Sequence, residues 1–325
     1  MASPPPTSRA PVARAPSRRP SVLGWLALAV SGVVVLALGG FYVLTMPWTL
    51  SAADLPKHTA DLANGERMFW AGGCVSCHAA PGSKGDDRLK LVGGVEIASP
   101  FGTFVTPNIS SDRTAGIGAW SDLDFVNAMM RGVSPAGEHL YPAFPYTSYQ
   151  HMRIEDLLDL RAYLATLPAD ATPSKSFELP FPFNIRRGIG LWKLVYLDGK
   201  PYAPDLAWSA SAKAGGYLVV GPGHCGECHT PRDAFGGLEK SRWLAGGPAP
   251  DGKGRIPDIT PTGAFAKWSA SDIAEALDTG FTPDFDTLGG SMAEVVENLH
   301  HLADQDRADI AAYLKAIPPV PPAAP

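Results

Sequence analysis

The sequence predicts an all-α protein, two tandem helical units behind one N-terminal transmembrane helix. Three observations predict it. Residues 22–46 carry no charge and are almost wholly apolar. Beyond them the chain repeats itself around two Cys-x-x-Cys-His motifs. Each repeat closes on the same apolar stripe at helical spacing: Leu160, Tyr163, Leu164, Leu167 and then Ile310, Tyr313, Leu314, Ile317, the i, i+3, i+4, i+7 pattern of one buried helix face. A chain of 325 residues suits two domains plus an anchor. Its 34 glycines and 32 prolines point to much irregular chain between the helices.

The apolar segment comes first. At 1.5 Å per residue about 20 apolar residues span a bilayer core, so residues 22–46 suffice. Arg9, Arg14, Arg18 and Arg19 precede it, and the first charge after it is Asp54. The positive-inside rule then places the N-terminus in the cytoplasm and all that follows on the periplasmic side of an inner membrane. A cleaved signal peptide is the competing reading. Its apolar region usually runs about 7–15 residues, and Ser51-Ala52-Ala53 makes a poor cleavage site. Ser17-Arg18-Arg19 has the look of a twin-arginine signal, but either signal would deliver the body to the same side. Residues 1–21 are expected to be a disordered cytoplasmic arm, and 319–325 a disordered tail.

The repeat fixes the remaining boundaries. Gly65 stands nine residues before Cys74 and Gly216 nine before Cys225. Pro107 lies 33 residues after Cys74, and Pro257 lies 32 after Cys225. Trp120-Ser121 matches Trp268-Ser269, and each Trp is followed twelve residues later by a glycine, Gly132 or Gly280. The units are read as 55–168 and 209–318. Each is a helix, a cysteine motif, a long irregular segment, a short helix after the Trp, a loop and a final helix. The connector, 169–208, is rich in proline and aromatic residues and too apolar to be floppy.

The four cysteines sit as Cys74, Cys77 and Cys225, Cys228, with His78 and His229 following. This is the c-type haem attachment pattern. Two thiols add to the two vinyl groups of one porphyrin edge, and the next residue brings its imidazole beneath the iron. A redox dithiol does not need the histidine, and a zinc site would need both pairs brought together. Two covalently bound haem c groups are therefore expected. Pro81 and Pro231 are candidates to orient the two histidines through their carbonyls, Arg232 to pair with a propionate, and Trp120 and Trp268 to contact a haem edge.

With these motifs in view, the chain from about Leu55 to Pro318 resembles the cytochrome c subunits of membrane-bound bacterial alcohol, gluconate and related dehydrogenases. The phrases that carry the resemblance are Thr106-Pro107-Asn108-Ile109, Leu140 to Tyr146 (LYPAFPY), Leu179 to Asn184 (LPFPFN) and Gly223 to Arg232 (GHCGECHTPR). It implies tandem class I cytochrome c-like domains and an electron-transfer role beside a catalytic partner. The family's best-known members have three haem domains; this sequence has two motifs.

A second axial ligand sets what each haem does, and methionine sulfur raises the potential. In the second unit Met292 is the choice, expected in the loop before the final helix, twelve residues after Gly280. In the first, Phe144 stands twelve residues after Gly132, where the resemblance puts a methionine. Met152 is the next candidate; His139, His151 or an open iron are the alternatives. Met129 matches Leu277 and reads as core.

Leaving aside the four N-terminal arginines, the rest of the chain has 23 basic and 32 acidic residues, a balance of −9. That argues against nucleic acid as a partner. The expected function is electron transfer with no catalysis of its own. Electrons would come from a dehydrogenase catalytic subunit and leave to a terminal oxidase or soluble cytochrome. A dihaem peroxidase, a thiosulfate-oxidising cytochrome and a haem-based gas sensor are the competing functions.

Overall fold

The computed structural model describes residues 21–249 and 254–320. The expected N-terminal arm, up to residue 20, and residues 321–325 of the expected tail lie outside them. The chain divides into two compact units, 1–44 and 45–325. The first contains helix α1, Val22–Leu44, which is long and apolar enough to cross a membrane.

The second unit is mostly helical. Its first half contains α2 (Leu62–Ala71), α3 (Cys74–His78), α4 (Asp122–Arg131), α5 (Tyr146–Tyr149) and α6 (Ile154–Leu164). The connector holds α7 (Ile189–Tyr196). The second half contains α8 (Ala210–Val220), α9 (Gly226–His229), α10 (Ala270–Thr279), α11 (Ser291–Leu299) and α12 (Asp304–Ala316). Purely all-α is too simple. The irregular segments form two small antiparallel ribbons, β1 (Glu96–Ser99) with β2 (Gly102–Val105), and β3 (Gly247–Pro248) with β4 (Arg255–Ile256). Strands this short, between Gly and Pro, give too few alternating positions to read.

The Trp-Ser pairs announce α4 and α10. Ser121 and Ser269 cap these helices, each in a capping box with the aspartate three residues on, which satisfies two otherwise orphaned N–H groups. Gly132 and Gly280 end the same helices in the left-handed region, with φ of 58° and 78°, a conformation costly for other residues.

In each half the first helix packs on the last, α2 on α6 and α8 on α12. Glycine lets the backbones meet. A Cβ at Gly65 would collide with the Asp159 carbonyl and stand 2.8 Å from Tyr163 Cβ. In the second half these contacts are divided: Gly215 meets the Asp309 carbonyl, and Gly216 lies against the Tyr313 ring. We expect Gly65→Ala to cost at least about 3 kcal/mol, because main chain cannot yield as a flexible side chain does. Thermal unfolding followed by circular dichroism would show it; an unchanged Tm would mean the crossing is loose.

The halves share one core, from Met68 and Phe69 through Met152 and Leu157 to Ile310 and Leu314. Their contacts repeat with the roles exchanged. Arg67 on α2 grips Asp306 on α12 with three hydrogen bonds of 2.7–3.1 Å. At the matching places, Tyr217 on α8 donates to Asp156 on α6. Asn298 Nδ2 donates to Ser76 Oγ at 2.7 Å, and Ser148 Oγ donates to Glu227 Oε1 at 2.9 Å. Ser76 and Glu227 each directly precede the second cysteine of a motif. Contacts across this seam thus repeat with the roles exchanged, and they include the residue beside the second cysteine of each motif.

Candidate functional site

Both cysteine motifs fold into a single helical turn, α3 and α9, which places the two thiols of each pair about one turn apart on one side. A glycine in the left-handed region, Gly73 with φ of 56°, reverses the chain into α3. At the matching bend the chain enters α9 through His224, with φ of 40°. Burial pushes the thiols of Cys74 and Cys225 up to about 12 and pulls His78 and His229 below the ordinary imidazole value. A nucleophilic dithiol has its thiol pKa lowered; these are raised. Among the described residues no three His, Cys, Asp or Glu side chains converge to hold a bare metal ion.

The histidines are aimed in the same way. His78 Nδ1 donates to the Pro107 carbonyl at 2.8 Å, and His229 Nδ1 donates to the Pro257 carbonyl at 2.9 Å. A carbonyl can only accept, so the proton sits on Nδ1 and the lone pair on Nε2. That tautomer is the one a metal-ligating imidazole needs. Pro107 and Pro257, rather than Pro81 and Pro231, are the orienting residues. The signal was visible as the prolines at matching distance from each cysteine pair. Two thiols followed by an imidazole with its Nε2 free fit the attachment of one haem c in each half.

Other expected contacts fall elsewhere. Arg232 is occupied by Glu227, at 2.6 Å, and by the Gly236 carbonyl. The backbone carbonyls of Trp120 and Trp268 accept from Arg161 and Lys315 on α6 and α12, which ties the start of each post-Trp helix to the core and leaves the place of the indoles beside a haem untouched. His139 has both ring nitrogens engaged, Nε2 with the Thr45 carbonyl at 2.9 Å and Nδ1 with Lys193 Nζ at 3.1 Å. His151 Nδ1 donates to the Lys200 carbonyl.

Met292 is the second residue of α11 and half-buried against the core, not in a loop. Gly290, with φ of 60°, lets the chain turn into that helix. Phe144 lies against Tyr149, ring centroids 5.5 Å apart, just before α5. Met152 closes a turn on Tyr149 as Leu302 closes one on Leu299, each by a 3.0 Å backbone bond. Both side chains are buried, and a Cβ at Gly221 would come within 3.3 Å of Met152 Cγ. Met152 therefore occupies the packing position that Leu302 fills in the second half. Met129 and Leu277 are likewise both buried.

Residues 62–168 match the model of the Cytochrome c family. The chain is 49% identical over 288 residues to the diheme cytochrome c-type protein of Cereibacter sphaeroides, covering 89% of this chain and 96% of that one. It is 37% identical to the fructose dehydrogenase cytochrome subunit of Gluconobacter japonicus, over 89% of this chain and 59% of that subunit. Against the gluconate 2-dehydrogenase cytochrome c subunit of Pantoea cypripedii it is 35% identical, over 83% of this chain and 63% of that subunit. The chain spans about three-fifths of these two dehydrogenase subunits. It belongs to the c-type cytochromes, in the family of the diheme cytochrome c-type protein and the dehydrogenase cytochrome subunits. Membership implies covalent haem c and electron transfer.

Proposed function

We propose that this is a membrane-anchored dihaem cytochrome c that passes electrons on the periplasmic side of an inner membrane. The observation that carries the proposal is the doubled motif: two Cys-x-x-Cys-His turns, each with its histidine Nδ1 bound to a proline carbonyl. Haem c supplies one-electron exchange at iron. Cys74 and Cys77 would hold the first by thioether bonds, and Cys225 and Cys228 the second. His78 and His229 would present Nε2 to the two irons, their rings kept from turning by the Pro107 and Pro257 carbonyls. Met292 would supply sulfur to the second iron.

The first iron is different in this proposal. Phe144 stands where the second half has its methionine, and Met152 is engaged in packing as Leu302 is. The sequence-based expectation of Met152 as sixth ligand is therefore replaced by a first iron without methionine sulfur, and a lower potential for that haem. The symmetric seam bears on transfer between them. Cys228 lies close enough to Cys77 to help push its thiol up, and Ser76 and Glu227 beside them are bonded across the seam. That seam would be the short path for electrons between the two groups. By likeness to the dehydrogenase subunits, the donor is a dehydrogenase catalytic subunit, and the acceptor a terminal oxidase or soluble cytochrome.

A potentiometric titration of the full chain in detergent, followed by visible absorption, tests the proposal. We expect two one-electron steps at separate potentials. A single two-electron step with the appearance of free thiols would instead mean a dithiol protein.

A further inference from the structure

Helix α7 is turned inside out for a helix in water. Its buried face carries Lys193, only 8% exposed, while Leu191, Leu194 and Val195 are 42%, 63% and 73% exposed. The exposed three follow i, i+3, i+4 spacing, one apolar face. The inward face is fully used. Lys193 Nζ donates to the carbonyls of Arg131 and Gly132, each at 2.7 Å, and to His139. Trp192 Nε1 donates to the Phe235 carbonyl, and the Tyr196 hydroxyl to Asp233. These contacts reach both halves, so the helix is held firmly with its apolar side outward. Ile185, just before it, is exposed too.

We propose that the outer face of α7 lies in the interfacial layer of the lipid bilayer, as a second, in-plane contact with the membrane. The proposal rests on the reading of α1 as a membrane-spanning helix. What selects lipid over another occupant is where the chain enters this unit. Thr45, the residue directly after α1, is fully buried and clamped to this region. Its carbonyl accepts from His139 and its hydroxyl from Arg187 Nε at 2.9 Å. A Cβ at Gly190, in α7 itself, would stand only 2.6 Å from Thr45 Cα. One peptide link, about 3.8 Å between Cα atoms, separates Thr45 from the end of α1. A span that ends at Leu44 therefore brings α7 to the edge of the bilayer. Charge agrees. Apart from the buried Lys193, the stretch from Ile185 to Lys200 holds Arg186, Arg187 and Lys200 against the single acid Asp198, in a body that is otherwise acidic, the composition that favours an anionic lipid surface around an apolar face.

The test uses the full chain reconstituted into vesicles of phosphatidylethanolamine and phosphatidylglycerol. A nitroxide is placed by Leu194→Cys or Val195→Cys, with Lys267→Cys, an exposed site just before α10, as the comparator. Collision with oxygen, which concentrates in lipid, is compared with collision with a water-soluble nickel chelate. We expect the α7 labels to meet oxygen more and nickel several-fold less than the Lys267 label. Nickel access equal to the comparator would overturn the proposal. So would shielding from both reagents, which would mean that another copy of the chain covers the helix. Flotation with the vesicles reports α1 separately: a chain that floats but shows a nickel-accessible α7 refutes the in-plane contact alone. A chain that does not float refutes the span and the contact together.

Discussion

Exchange of both Cys225 and Cys228 for alanine is expected to remove one covalent haem and leave the other. The two attachment turns belong to different halves, each with its own first and last helix packed together, α2 on α6 and α8 on α12. The residues assigned to the first haem, Cys74, Cys77 and His78, all lie in α3. The cross-seam partner on that turn is Glu227, which takes hydrogen bonds from Thr147 and Ser148 and is untouched by the change. Intact mass should therefore fall by about one haem, and the remaining absorption should keep the spectrum of the first site. The second half should lose stability, since the group that would pack beside the buried His229 is gone. Loss of both haems from a folded chain would show that the halves do not load independently.

Met292→Ala is expected to change the second iron most. Sulfur ligation in a ferric haem gives a weak near-infrared charge-transfer band, and this band should vanish. The iron should then bind carbon monoxide, and its potential should fall by on the order of 0.1 V, a part of the ~0.8 V range that axial ligands span. Met152→Leu is the matched control. Leucine is the residue the second half uses at that place, so the spectrum should not change and stability should shift by less than about 1.5 kcal/mol, as for a volume-conserving swap. A near-infrared band that survives Met292→Ala but is lost in Met152→Leu would reverse the assignment.

Much of this was legible in the sequence because it rests on short-range chemistry. The attachment turns are contiguous, and Ser121 to Gly132 and Ser269 to Gly280 carry helix start and stop signals at both ends. The final stripes, at Leu160 and Ile310, show the period of a buried face. Other features depend on residues far apart in the chain. The choice between Pro81 and Pro107 as partner of His78 is made by the folding of a loop, although the repeat offset pointed to Pro107. The seam is a pairing of Arg67 with Asp306 across 239 positions, which no local pattern announces. Helix α7 was hidden by its own inversion: Lys193 among Leu191, Leu194 and Val195 reads as an exposed lysine on an apolar run, and the structure buries the lysine instead. Met152 was the nearest sulfur after Phe144, and its match to Leu302 shows only once both are seen closing the same turn.

The central claim is that the four cysteines serve to hold two haems. The most direct measurement is the intact mass of the mature full chain after denaturation in acid, with a thiol-reactive reagent added. The account predicts a gain of two haem masses over the polypeptide and no reactive thiol. A polypeptide without added mass and with four reactive thiols would contradict it.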